Sequence, residues 1–199
     1  KKIITMLPKQ RQSLFFSATM VPEVDALART MLHHPEKVAV TPQATTVERI
    51  DQKILFVAKH DKNKLLLQLL EGEHLERVLV FARTKHGANK LVDFLYDNRV
   101  RADAIHGNKS QAARQKALND FKNGKVRVLV ATDIAARGID VDGISHVINY
   151  ELPNIPESYV HRIGRTARAG ADGTAVPSHC HPTLPYSTIP YPTLTYPTL

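Results

Sequence analysis

The stretch Val78–Ala82, with the sequence VLVFA, is an uninterrupted apolar run too short for a typical helix. Its β-branched and aromatic residues are typical of a strand that is buried on both faces of a sheet. Similar runs, each with one polar residue, occupy Val126–Ala131 and Val147–Tyr150. Together these runs predict the centre of a parallel sheet, because such a sheet is covered by helices on both sides.

The segments between these runs carry apolar residues at helical spacing, which are Ala88, Leu91, Val92 and Leu95, then Ala113, Ala117, Leu118 and Phe121. Ser110 is placed to cap the second helix and Gly124 to end it. Asp61 is placed to cap an earlier helix. Strand and helix therefore alternate over 50–176, which predicts an α/β fold with helices on both faces of a parallel sheet. Ligands are expected at the loops that follow the carboxyl ends of the strands.

The stretch Tyr159–Gly170, YVHRIGRTARAG, places Arg162, Arg165 and Arg168 at intervals of three residues. Arginine keeps its charge at any practical pH, and its planar fork of donors fits phosphate oxygens. Even spacing on a short helical segment predicts a phosphate clamp for a nucleotide or a nucleic acid. The alternative is a solvated charged helix face, which the interleaved glycines and apolar residues disfavour.

The composition limits the class of protein. At 199 residues and 43% hydrophobic content, the chain suffices for one domain with a core, or for a domain and a fragment. Its formal net charge of +8 predicts an anionic partner, nucleic acid before a membrane surface. Every apolar run falls short of the ~20 residues that span a bilayer, and the single cysteine, Cys180, fits a reducing setting. A soluble, cytoplasmic protein is expected.

Residues 1–42 are predicted to form a smaller unit with two strands, Leu14–Phe16 and Val38–Val40. Between them, Pro22 is predicted to begin a helix whose inner face carries Val24, Leu27, Ala28 and Met31. So few elements cannot bury themselves. We therefore expect this unit to be part of a domain whose remainder lies outside the chain, and the initial lysine agrees with a fragment. Residues 43–50 are the predicted linker, and 51–176 the main domain.

Residues 177–199 differ sharply in composition from the rest. They contain six prolines and no Lys, Arg, Asp or Glu, and their tyrosines at 186, 191 and 196 recur every five residues. Proline removes backbone donors, so an irregular or extended low-complexity tail is predicted from Pro177 onward. Two origins stay open. The tail is either an artefact of a shifted reading frame or a proline-rich ligand for a partner domain.

Five short motifs stand at predicted strand ends and in the arginine stretch. In chain order they are Ser17–Thr19, Phe81–Thr84, His106-Gly107 with Gln111 and Arg114, Ala131–Asp140 and His161–Arg168. Their order and spacing resemble the DEAD-box family of ATP-dependent RNA helicases, and within it the bacterial RhlE-like proteins. The resemblance covers about residues 1–176. It implies the end of a first RecA-like domain, containing the Ser-Ala-Thr motif, joined to a whole second one.

The resemblance also implies residues for an ATP site that two such domains share. Arg165 and Arg168 would be catalytic arginine fingers on the γ-phosphate, and Gly138 and Asp140 would lie at the ATP ribose. Neither a G-x-x-x-x-G-K-[ST] loop nor an Asp-Glu-Ala-Asp sequence occurs in the chain. The ligands for Mg²⁺ are therefore expected in the missing part of the first domain. Alanine at 167, where the family commonly has glycine, is expected to adopt helical dihedral angles and to leave both fingers unobstructed.

For coupling between the two domains, the resemblance implies Ser17, Thr19, His161 and Arg162. For His161 and Arg162, a helix cap and an ion pair on the helix face are equally plausible alternatives. With much of the first domain absent, Ser17 and Thr19 are expected to be idle, and Thr19 to lie near a helix start.

RNA is expected to be held through its backbone, without base identity. The implied contact residues are Arg83, Thr84, Gly107, Gln111, Arg114 and Thr132. Hydroxyls, guanidinium groups and backbone amides near a helix start all suit phosphate oxygens. For Arg114 the alternative is a plain surface charge, and for Asp140 at the ATP ribose it is a turn residue beside Gly138.

Two functions from different classes follow. The first is a fragment of an RNA helicase that supplies arginine fingers and half of the RNA and ATP sites. The second is a non-catalytic RNA-binding module. Because the phosphate loop is absent, the chain alone is expected to show no ATPase activity.

Overall fold

The computed structural model describes residues 4–17, 20, 22–39, 50–72, 75–136, 138–139, 141–167 and 173–180. The chain divides into two compact units, Lys1–Pro42 and Gln43–Leu199. Of the predicted linker at 43–50, residues 43–49 lie outside the described residues, and Ile50 begins a strand.

The first unit contains a 3-10 turn at Ile4–Met6 and one α-helix, α1, Pro22–Arg29. Proline begins this helix as predicted, while Met31 lies beyond its end. The predicted strand at 14–16 is wrong, and the described residues of 38–40 form no strand either. A strand exists only with a hydrogen-bonded partner, and the described part of this unit offers none. Phe16 is accordingly 87% exposed.

The second unit alternates strands and helices. The strands are β1 Ile50–Gln52, β2 Leu55–Val57, β3 Val78–Phe81, β4 Ala102–Ile105, β5 Val128–Ala131, β6 His146–Asn149 and β7 Gly173–Cys180. The helices are α2 Lys62–Glu71, α3 Lys85–Asp97, α4 Gln111–Lys122, α5 Asp133–Ala136 and α6 Pro156–Ile163, and a 3-10 turn at Lys59–Asp61 precedes α2. The sequence patterns missed the short edge strands β1, β2 and β4, which lack long apolar runs.

All strand pairs are parallel, in the order β1-β7-β6-β3-β5-β4, and β2 also pairs with β7. Two buried clusters lie on opposite faces of this sheet. On one face, β3 packs Val78 and Val80 with leucines of α2 and α3. On the other, it packs Leu79 and Phe81 with Phe121 of α4. The predicted α/β fold with helices on both faces is confirmed.

Most of the predicted helix boundaries are confirmed by their contacts. The Ser110 hydroxyl accepts a hydrogen bond from the Ala113 amide at 3.2 Å and caps α4. Gly124 follows that helix with φ +71°, a left-handed conformation that suits glycine. Asp61 stands at the N-cap of α2, but its side chain accepts no capping hydrogen bond. Its carboxylate faces Lys64 instead.

Strand β7 corrects the prediction of irregular chain from Pro177 onward, because it continues to Cys180. Proline fits there for a geometric reason. Strand β1 pairs with β7 up to Ala175, and β2 takes over at Ser178. Pro177 stays in register with Asn149 of β6 on one side of β7. On the other side it falls between the pairing with β1 and the pairing with β2, so its missing donor interrupts neither. Residues 181–199 lie outside the described part of the chain.

Candidate nucleotide and nucleic-acid site

The parallel sheet gathers most of the predicted site residues of the second unit at one edge. Arg83 and Thr84 follow β3, Gly107 follows β4, and Thr132 follows β5. Because all strands run in one direction, their carboxyl ends meet at the same side of the sheet. This is the edge at which an α/β protein binds its ligands.

Arg162 lies in the interior of the second unit, with only 2% of its side chain exposed. Its Nε and Nη2 donate to the two carboxylate oxygens of Asp133 at 2.5 and 2.8 Å. Its Nη1 donates to Asn149 Oδ1 at 2.9 Å and to the Glu151 carbonyl at 2.6 Å. The guanidinium also stacks on the Phe81 ring at 4.8 Å. Arg162 therefore ties α6 to the ends of β3, β5 and β6.

These contacts engage the Arg162 guanidinium within its own unit, and the ion pair to Asp133 matches the alternative considered from the sequence. The interdomain role expected for Arg162 stays a prediction. The sequence motif contained Asp133, but gave it no role. The available signal was its position beside Thr132 at the end of a predicted strand, where a carboxylate is a natural partner for arginine.

Arg165 has a different environment, although it follows Arg162 by only three residues. Helix α6 ends at Ile163, so Arg165 lies in the turn beyond it and not on the same helix. Its side chain is half-buried, and Nη1 donates to the Ile139 carbonyl at 3.0 Å. Gly138, next to Ile139, has φ +79°. The structure thus places Arg165 beside the segment that carries Gly138. Arg168 and Asp140 lie outside the described residues.

His161 is exposed on α6 and lines a depression with Asp133, Arg162 and Arg165. Ser17 is exposed in the first unit, and Thr19 lies outside the described residues.

Ala167 adopts φ +54°, so the expectation of helical dihedral angles at this position is wrong. The left-handed conformation suits the glycine that is common in the family and is strained for alanine. Ala167 is also 8% exposed and packs with Ile50, Ile163 and Ala175. Packing of the methyl group offsets part of the backbone strain.

The predicted RNA-contact residues are partly engaged by neighbouring groups. The Thr84 hydroxyl caps α3 by accepting a hydrogen bond from the Gly87 amide at 3.0 Å. Arg83 donates from its backbone amide to Glu151 Oε2 at 2.7 Å and from Nη2 to the Leu152 carbonyl at 3.3 Å. The Glu151 carboxylate therefore holds the loop after β3.

Two more of the predicted RNA-contact residues, Gln111 and Arg114, lie in the first turn of α4. Arg114 Nη1 donates to Gln111 Oε1 at 3.3 Å. Its Nε is buried and has no hydrogen-bond acceptor among the described residues. At Gly107, a Cβ atom would meet nothing within 4 Å, so the backbone there is open to a ligand.

His106 is buried at the same edge, with 3% of its surface exposed and Nε2 2.9 Å from Asn89 Oδ1. Burial, and then the positive charges of Lys109, Lys85 and His86, lower the pKa of His106 below its ordinary value of 6.5. The imidazole is therefore neutral at pH 7.

We expect the free energy of unfolding to fall as the pH drops below about 6.5. The unfolded chain binds a proton at His106 near that pH while the folded chain resists it, so protonation favours unfolding. Burial lowers the pKa of His146 as well, which acts in the same direction. Urea unfolding at about pH 7.5 and about pH 5.5 measures the effect, and His106→Gln is expected to reduce it. If the free energy of unfolding of His106→Gln falls with pH as much as that of the wild type, groups other than His106 cause the loss.

Within the described ranges, no three His, Cys, Asp or Glu side chains are grouped so that they could hold a metal ion. No helix in the described part is long and apolar enough to cross a membrane.

Comparison with known proteins identifies the family. Residues 61–170 match the helicase conserved C-terminal domain. The Escherichia coli DEAD-box protein SrmB, solved with regulator of ribonuclease activity A, is 38% identical, with a TM-score of 0.64. The match covers 66% of this chain and 78% of the chain in that structure. The chain belongs to the DEAD-box helicase family. The predicted resemblance is confirmed, while its RhlE-like subgroup stays a prediction.

Longer relatives extend the comparison. The DEAD-box ATP-dependent RNA helicase CshA of Geobacillus kaustophilus is 44% identical over 174 residues, which is 87% of this chain but 37% of that protein. Saccharomyces cerevisiae Dbp5, solved with RNA and ADP BeF3, is 30% identical with a TM-score of 0.79. That match covers 90% of this chain and 48% of the chain in that structure. The chain therefore spans about a third of the CshA relative.

Proposed function

We propose that this chain supplies the arginine fingers and half of the ATP and RNA sites of an ATP-dependent RNA helicase. The whole protein would hydrolyse ATP under RNA stimulation and separate short duplexes locally. The observation that carries the proposal is the half-buried guanidinium of Arg165, held against the Ile139 carbonyl beside the Gly138 turn. Dbp5, which has the same fold, is solved with both RNA and a nucleotide.

On the nucleotide side, Arg165 and Arg168 would neutralise the charge that develops on the transferred phosphoryl group. Such an arginine accelerates phosphoryl transfer by roughly 10³ to 10⁵ in other enzymes. Asp140 would accept a hydrogen bond from a ribose hydroxyl, and the glycine at 138 allows the sharp turn that leads to it. The ligands for Mg²⁺ would come from the part of the first RecA-like domain that is not in this chain.

On the RNA side, Arg114 is the strongest candidate, because its Nε lacks an acceptor in the described chain and suits a phosphate oxygen. Open backbone at Gly107, the side chain of Gln111 and the hydroxyl of Thr132 would add contacts along the same edge. Arg83 would contribute its guanidinium. Thr84 already caps α3, so its part would be to position that loop. Such contacts bind the RNA backbone without reading bases.

For coupling to the first RecA-like domain, we propose His161, which is exposed in the depression beside Arg165. Ser17 and Thr19 would act from the first-domain side, within a complete helicase only. The cytoplasm is the proposed location.

A non-catalytic RNA-binding module is the second candidate. The absence of both a phosphate loop and an Asp-Glu-Ala-Asp sequence from the chain favours it. Both candidates predict RNA binding, and they differ only in ATP hydrolysis by a complete helicase that contains this chain.

The test is a chimera in which the part of the Bacillus subtilis CshA relative that precedes its matched region is joined in front of residue 1. We expect RNA-stimulated ATP hydrolysis from the chimera and none from the 199-residue chain alone. Steady-state ATPase assays with and without RNA measure it, and circular dichroism establishes that both proteins are folded. A folded chimera that binds RNA without hydrolysing ATP would support the second candidate. Turnover by purified chain alone would contradict both accounts.

A further inference from the structure

The turn that carries Arg165 rests directly on the start of β7. Its backbone is held by hydrogen bonds from the Arg165 amide to the Arg162 carbonyl and from the Thr166 amide to the Ile163 carbonyl, both 3.1 Å. The Thr166 side chain is 1% exposed, and its hydroxyl donates to the Ile144 carbonyl at 2.5 Å. The turn is therefore held by hydrogen bonds to the end of α6 and by a hydrogen bond to the segment that precedes β6.

Gly173, the first residue of β7, leaves no space for a side chain. A Cβ atom there would lie 2.3 Å from Thr166 Oγ1, 2.6 Å from Thr166 Cγ2 and 2.8 Å from the Ala167 amide nitrogen. Ordinary contacts of a Cβ atom begin near 3.4 Å. The side chain that would have to yield is β-branched, buried and hydrogen-bonded, and Ala167 contributes a backbone atom. Neither can move without moving the turn.

The position of Gly173 itself is equally fixed. It pairs with Ile50 of β1, and the next amide, that of Thr174, donates to the Ser145 carbonyl at 3.2 Å. The Thr166 hydroxyl lies 3.3 Å from that same carbonyl. Strand β7 and the turn thus share the Ser145 carbonyl as an acceptor. Because β7 is held in the sheet, a side chain at 173 would displace the turn and not the strand.

We propose that Gly173 and Thr166 are positioning residues for Arg165. The missing Cβ at 173 allows the turn to lie close to the sheet, and the Thr166 hydroxyl holds it there. With the turn in this position, the Arg165 guanidinium reaches the Ile139 carbonyl. The catalytic consequence rests on the proposed function, while the placement of the turn does not.

Hydrogen exchange on the 199-residue chain tests the placement without any activity. In Gly173→Ala, the amides of Arg165 and Thr166 are expected to exchange about tenfold faster than in the wild type, because the turn is lifted off the sheet. Gly124→Ala is the matched control. It introduces the same methyl at a glycine with φ +71° and nothing within 4 Å, so it costs stability without touching the turn. Unchanged exchange at these amides in a folded Gly173→Ala chain would overturn the inference.

The chimera tests the catalytic consequence. Gly173→Ala is expected to lower kcat for RNA-stimulated ATP hydrolysis by about 10², because a displacement of about 1 Å has effects of that size on positioned groups. The KM for ATP is expected to change by less than about threefold, and Gly124→Ala to retain the wild-type kcat. If Gly173→Ala does not fold, Thr166→Val, which keeps the shape and removes the hydroxyl, replaces it in both assays with the same direction of change.

The outcomes separate the two proposals. An inactive parent chimera contradicts the proposed function, and the exchange experiment still decides the placement. An active parent whose folded Gly173→Ala variant keeps kcat within about twofold overturns the positioning role.

Discussion

Arg162→Ala is expected to lower the free energy of unfolding by about 3 kcal/mol. The substitution removes a fully buried guanidinium, with its contacts to Asp133, Asn149 and the Phe81 ring. Breaking a buried ion pair by deleting one partner typically costs 3–5 kcal/mol. The lower end applies here because the Asp133 side chain is 40% exposed and is rehydrated when its partner is lost.

Urea denaturation of the 199-residue chain, followed by circular dichroism, measures this loss. Arg165→Ala is the matched control, because it removes the same side chain three residues away, where it is only half-buried. That variant is expected to lose less than about 1 kcal/mol. A loss for Arg162→Ala no larger than the control's would show that the buried network contributes little to stability.

Arg165→Ala is expected to lower RNA-stimulated ATP hydrolysis by the chimera about 10³-fold while the chain stays folded. The reason is that a preorganised positive charge stabilises the transition state more than the bound nucleotide. Arg165→Lys keeps the charge but loses the planar fork, so most of the activity is expected to be lost there too.

The control for this second prediction is Arg101→Ala, which removes an exposed arginine just before β4, at the opposite edge of the sheet. Steady-state kcat and KM for ATP, measured at saturating RNA, are expected to match the unmodified chimera. Retention of more than about a tenth of the activity by Arg165→Ala would remove this residue from the catalytic role.

Local sequence signals predicted the architecture well. The runs at 78–82 and 126–131 contain the central strands β3 and β5, and the run at 147–150 is displaced by one residue from β6. Ser110 and Gly124 bound α4 as predicted. These signals succeed because apolar runs, helical periodicity and caps act within a few residues of one another. The edge strands were not predicted, because a three-residue strand such as β1 depends on a partner elsewhere in the chain.

For the candidate site, the positions of residues were predictable from the sequence, but their hydrogen-bond partners were not. The motifs placed Thr132, Gly107 and Arg83 at strand ends, and the parallel sheet brings those ends to one edge. Which of their polar atoms remain open to a ligand was not predictable. The Thr84 hydroxyl caps α3, and the Arg83 amide donates to Glu151, which is 68 residues away in sequence.

By itself the sequence determined the α/β class, the central strands and the family, because each depends on residue type and spacing along the chain. Only the tertiary structure decided the difference between Arg162 and Arg165, which are identical in type and three residues apart. Asp133 and Asn149 bury the first, and the end of α6 leaves the second in a turn above Gly173. The burial of a side chain and its partners depend on contacts between distant segments of the chain. The spacing of residues along one segment therefore cannot predict them.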